Sequence, residues 1–157
     1  MNPITWLTDN LPEMDAEKRK VIEFIFLWQE YNYKYCILVP GLGDYSGALA
    51  LASCPNAQRV YENLKHDFLN DFRNIPSNVP GNSPRVKLCA DYVHEREVKY
   101  HADGKDSLED FLKVVYQIRC NFLHGGKMRE YVENDIKLIG WAKDSLGKFL
   151  HDINYFG

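Results

Sequence analysis

Apolar residues recur three and four positions apart over long stretches of this chain, and that period is the strongest constraint on what it can fold into. Leu108, Phe111, Leu112, Val115, Ile118 and Phe122 trace one tight stripe along a helix. Val21, Ile22, Ile25, Phe26, Trp28 and Tyr31 trace a second stripe, broad enough to need more than one packing neighbour. Val60, Leu64, Phe68 and Phe72 trace a third. No alternating strand pattern of any length competes, and no internal repeat is present. The expected fold is therefore all-α: an up-and-down bundle of about five helices. With 157 residues, the chain is long enough for a real core and is expected to form one domain over residues 1–157.

Local signals set the expected helix bounds. Asp15 is suited to cap a first helix, with Glu17 in its first turn, and Pro40 stops that helix. The strand-like run Tyr35–Val39 is short and abuts this helix. A second helix is expected from about Pro55 to Phe72. Ile75–Pro84 holds three prolines with Gly, Asn and Ser, which makes an irregular loop at about 75–84. A third helix is expected from about Arg85 to Tyr100, with Val86, Cys89, Tyr92 and Val93 as its apolar side. A fourth starts at Asp106 or Ser107, where Asp110 completes a capping arrangement. A fifth runs from about Met128 to Phe156, with Gly140 and Gly147 as points where it can kink.

Charge and cysteine content narrow the function classes. The formal net charge is −3, which argues against a broad basic face for non-specific nucleic-acid binding but leaves room for a local anion site. Cys36, Cys54, Cys89 and Cys120 are scattered without a CxxC pair, as free thiols in a reducing compartment would be. The first residues, Met1–Trp6, lack a basic start and an apolar core, and no apolar run approaches the roughly 20 residues that span a bilayer. A cytoplasmic protein with no membrane partner is expected.

Two apparent motifs fail on their chemistry. Gly41-Leu42-Gly43-Asp44-Tyr45-Ser46-Gly47 has the wrong glycine spacing for a dinucleotide and lacks the P-loop lysine, so a helix-to-helix turn is the better reading. His94-Glu95-Arg96-Glu97-Val98 places valine where a zinc protease needs its second histidine. Neither a metal nor a cofactor is expected.

The segment Arg119-Cys120-Asn121-Phe122-Leu123-His124-Gly125-Gly126 carries the functional signal. Arg119 sits on the flank of the Val115/Phe122 stripe, where its guanidinium can be half-buried. His124 lies about 140° from it around a continuous helix, with Asn121 on the His124 side. The two would converge if the helix loosened near Leu123, which Gly125-Gly126 would permit. Spacing alone leaves two readings open. Arg119 can be a helix-end cation and His124 a C-terminal cap. Alternatively, the pair can hold a phosphate and move a proton without a metal.

The run Val114–Lys127, with its R-x4-H pattern at the end of an apolar helix followed by glycine and a basic residue, resembles the signature of the HEPN superfamily, in particular its Apea-like branch. The likeness extends to the long helix after the motif and to the aromatic first helix with its internal Trp28. The resemblance implies an HEPN-like α-bundle that forms a homodimer, in which Arg and His of both subunits face each other and cleave RNA without a metal. It implies that Arg119 holds the scissile phosphate and that His124 is general base or acid, leaving a 2′,3′-cyclic phosphate. Asn121 and Lys127 are the expected substrate contacts. Many relatives serve in toxin–antitoxin or phage-defence systems, so an antitoxin or other protein partner is implied as well. Cys120 departs from the pattern, which often has Asn, Asp or His directly after the arginine. The competing expectation is a non-catalytic HEPN dimer that binds a nucleotide, an RNA or a protein.

Overall fold

The computed structural model describes residues 16–38, 41, 43–76, 86–91, 96–101, 106–124 and 133–157. The fold is an all-α helical bundle. Five α-helices occur among the described residues: α1 (Ala16–Leu38), α2 (Asp44–Ala50), α3 (Ala57–Asn74), α4 (Leu108–His124) and α5 (Glu133–Asp152). A 3-10 turn, Leu51–Ser53, links α2 towards α3. None of these helices is long and apolar enough to cross a membrane.

α4 occupies the centre because its sequence is apolar on nearly every side. Phe111, Leu112, Val114, Val115, Ile118, Cys120 and Phe122 are all buried, and a helix that is apolar all round must be covered all round. Phe111 stacks on Tyr61 and Phe68 of α3 at 5.5 and 5.2 Å and meets Trp141 and Phe149 of α5 edge-on. Each fully buried side chain of this size contributes on the order of 2–3 kcal/mol of burial. The start of α4 is fixed by the expected cap. Ser107 Oγ accepts the Asp110 N–H at 3.2 Å and donates to Asp110 Oδ2 at 2.8 Å, while the Ser107 N–H donates to the same carboxylate at 2.9 Å.

The expected third helix is corrected to an antiparallel hairpin, β1 (Val86–Asp91) and β2 (Arg96–His101), lying along α4. Its register pairs Cys89 with Val98 and Asp91 with Arg96. The sequence explains the difference: Val86-Lys87-Leu88 and Val98-Lys99-Tyr100 alternate apolar with charged residues, and β-branched and aromatic types favour a pleated strand. Val86, Cys89, Tyr92 and Val93 fit a helical stripe equally well, so local pattern alone could not decide. Residues 77–84 of the expected loop lie outside the described residues. The Gly41–Gly47 segment, read as a turn, includes the start of α2 at Asp44, and the strand-like run from Tyr35 continues α1 to Leu38.

α5 is one continuous helix from Glu133 to Asp152. Contacts climb α1 and α5 together: Lys20 lies beside Gly140, Glu23 pairs with Lys143 at 2.9 Å, and Leu27 lies beside Gly147. The two helices therefore run parallel, and the glycines serve close approach within an unbroken helix. The helix stops in a Schellman motif. Asn154 takes a left-handed φ of 55°, its N–H donates to His151 O at 2.9 Å, and the Tyr155 N–H reaches back to Leu150 O at 2.9 Å. That return buries Tyr155, whose hydroxyl donates to Tyr31 O at 3.2 Å.

Charges finish the same seam, with Lys20 on Asp144 at 2.9 Å and Lys143 on Asp144 at 3.2 Å. The Glu23 hydrogen bond outweighs burial and holds the Lys143 ammonium above its ordinary range. Burial works against the Asp144 charge, but hydrogen bonds from Lys20 and Lys143 prevail and hold its carboxyl below the ordinary carboxylate range.

Two predictions follow from the α1–α5 seam. A Cβ at Gly147 would stand 3.5 Å from Leu27 Cδ2, an ordinary contact, whereas one at Gly140 would stand 3.1 Å from Lys20 Cδ. Gly147→Ala is expected to stabilise the fold by up to ~1 kcal/mol in urea unfolding, and Gly140→Ala to gain less. A depressed carboxyl stabilises the folded state above the ordinary Asp range, and the contribution is lost as pH falls through the folded value. Stability should therefore decline below about pH 4. Asp144→Asn should flatten that decline, and an unchanged acid profile in the variant would refute the role given to this network.

Candidate functional site

Arg119 and Asn121 stand in the last turns of α4, and His124 is its final residue. The helix runs unbroken through Leu123, so the loosening that would bring Arg119 and His124 together within one chain does not occur. Their positions lie about 140° apart around the axis and about 7.5 Å apart along it. Lys127, with the Gly125-Gly126 pair, lies outside the described residues.

Arg119 is half-buried, as its place on the flank of the apolar stripe predicts. Its guanidinium carbon lies 5.6 Å from the centroid of the Trp28 ring, within the range where an aromatic face attracts a cation. This partner comes from α1, far away in the sequence. Trp28 is 3% exposed and is wedged between Tyr31, at 5.2 Å and nearly perpendicular, Tyr116 of α4 at 6.1 Å and Phe24 at 6.3 Å. Tyr31 is fixed in turn, its hydroxyl donating to Ala48 O of α2 at 3.1 Å.

Cys120 is buried at 4% exposure, and Arg119 Nη1 approaches its sulfur at 3.9 Å. The position after the arginine therefore faces the core. A thiol packs there as a small apolar group, where a more polar side chain would need a hydrogen-bond partner.

Asn121 belongs to a second polar element on a different side of α4. Gln117, only 2% exposed, donates from Nε2 to Asn121 Oδ1 at 2.9 Å. That bond satisfies a buried amide and orients Asn121 so that its own NH2 group remains to donate elsewhere. The arrangement thus offers a positioned cation on one side of the helix and an oriented amide on another, one turn from the helix end. Among the described residues, no three His, Cys, Asp or Glu side chains come together as a ligand set for a metal ion.

Sequence pattern locates Arg119 and Asn121, but it gives Trp28, noted only as an apolar stripe residue and as part of the family resemblance, no place beside Arg119. Nothing in local spacing connects α1 with the end of α4. No protein-family model, curated protein or solved structure matches the chain.

The Gln117–Asn121 bond predicts an asymmetry. Asn121→Ala strands a buried amide and should cost about 1–3 kcal/mol in urea unfolding, while Gln117→Leu, which removes the buried polar group itself, should cost less. Equal costs would show that the bond does not anchor this side of the helix.

Proposed function

We propose that this protein is a metal-independent endoribonuclease of the HEPN type, working as a homodimer with a composite site. The observation that carries the reading is the half-buried Arg119 guanidinium held on Trp28 near the end of the central helix. A positioned planar cation suits a phosphodiester, because its fork of N–H donors matches two phosphate oxygens at once.

In the proposed reaction the RNA 2′-oxygen attacks the adjacent phosphorus and the bond to the 5′-oxygen of the next nucleotide breaks. His124 takes the 2′-hydroxyl proton or supplies one to the leaving oxygen, for which an imidazole is suited near neutral pH. Arg119 stabilises the charge growing on the non-bridging oxygens. The products are a 2′,3′-cyclic phosphate and a 5′-hydroxyl. Asn121 and Lys127 contribute substrate contacts. In the proposed dimer the Arg119 and His124 of both subunits face each other across the interface. A cytoplasmic toxin–antitoxin or phage-defence setting, with a protein partner that restrains the enzyme, belongs to the same proposal.

The second reading is a non-catalytic HEPN-type dimer that binds a nucleotide, an RNA or a protein. The burial of Cys120 favours it, since the position after the arginine is committed to the core. Incubation of the purified protein with RNA in excess chelator separates the two. The enzyme reading predicts cleavage that persists in chelator, leaves cyclic-phosphate ends and falls at least ~10²-fold in both Arg119→Ala and His124→Ala. A well-folded dimer that cleaves no RNA would favour the binding module, and a monomer in light scattering would contradict both readings.

A further inference from the structure

We infer that Trp28 is the positioning residue for Arg119, an indole platform on α1 that holds the guanidinium ready for a phosphate. The inference rests on the ribonuclease reading and adds to it a residue that local motif spacing does not single out.

A platform must itself be fixed, and Trp28 is. Its ring is 3% exposed and is held by Tyr31, Tyr116 and Phe24. Tyr31 is pinned to α2 through its hydroxyl and receives the Tyr155 hydroxyl on its backbone carbonyl. The contacts form a continuous series from the C-terminal turn through Tyr31 and Trp28 to Arg119. Any swing of the indole would disturb packing on both α1 and α4. Tyr116 stands one turn before Arg119 on α4 and packs on the same indole, so α4 meets the platform with two successive residues.

A free arginine samples many rotamers, and each must be abandoned when a phosphate is gripped. A guanidinium already seated over a fixed ring loses less freedom on binding. The demand on that grip is greatest when negative charge accumulates on the phosphoryl oxygens. Loss of the platform should therefore appear in kcat as well as in kcat/KM.

The test compares wild type, Trp28→Phe and Trp28→Leu, each shown to be folded by circular dichroism and urea unfolding. Two quantities are read: single-turnover cleavage of RNA, and the NMR signals of the Arg119 side chain, which an indole beneath it displaces through its ring current. We expect the arginine signals to be displaced in wild type, less so in Trp28→Phe, and near free-arginine values in Trp28→Leu. Cleavage at saturating RNA should fall about 5- to 30-fold in Trp28→Leu and less in Trp28→Phe, which keeps an aromatic face. If Trp28→Leu does not fold, a graded loss in Trp28→Phe alone, in both readouts, carries the inference. Cleavage in the folded variants within twofold of wild type would overturn the positioning role and leave the ribonuclease reading intact. Wild-type protein that cleaves no RNA while its arginine signals are displaced would overturn the ribonuclease reading and the role with it, and would identify the contact as packing alone.

Discussion

Burial of the central helix α4 from every side is the constraint on which the rest of the structure depends. Eight side chains from Phe111 to Phe122 are withdrawn from water, and no single neighbour could cover all of them. α3 supplies Tyr61 and Phe68, α5 supplies Trp141 and Phe149, α1 supplies Trp28, and the hairpin lies along the same helix. Several devices elsewhere keep these covering elements in place. Trp141 donates from Nε1 to Phe68 O at 3.0 Å, which ties α5 to α3. The glycines of α5 let it lie close against α1, and the Schellman turn after Asp152 returns Tyr155 to the core.

The candidate site inherits its rigidity from this arrangement. Arg119 belongs to the last turns of α4, where a helix ordinarily begins to fray, yet the helix there is still buried through Phe122. The same packing that places Cys120 in the core sets Arg119 on its flank, over Trp28. Catalytic groups gain from being mounted on rigid elements, because a small displacement of a charged group sharply weakens its hold on a transition state. The enzyme reading and the binding-module reading both need a fixed cation at this place. They differ in whether His124 moves a proton.

Much of the fold is legible in the sequence where one segment decides its own conformation. The stripes of the first, second, fourth and fifth expected helices and the Ser107–Asp110 cap are local patterns, and the structure contains these helices and the cap, although Phe26 of the first stripe is exposed. The segment from Arg85 to Tyr100 is different. Its apolar residues fit a helix and a hairpin about equally, so tertiary context decided between them. Gly140 and Gly147 suggest a kink until the parallel neighbour α1 is present to explain them. Asn154 ends α5 through a left-handed turn that no apolar period announces. At the site, the half-burial of Arg119 follows from counting around the helix. Its partner Trp28 does not, because that contact joins distant segments. Nor does spacing reveal that the helix continues unbroken through His124.

Hydrogen exchange along α4 tests the central claim most directly. If burial on all sides holds the end of this helix, the amides of Ile118, Arg119, Cys120 and Phe122 should exchange only through global unfolding, at the same free energy as Val114 and Val115. Exchange of Arg119 through Phe122 by local fraying, at a free energy well below that of Val114 and Val115, would contradict the account, since Arg119 would then not be held in place.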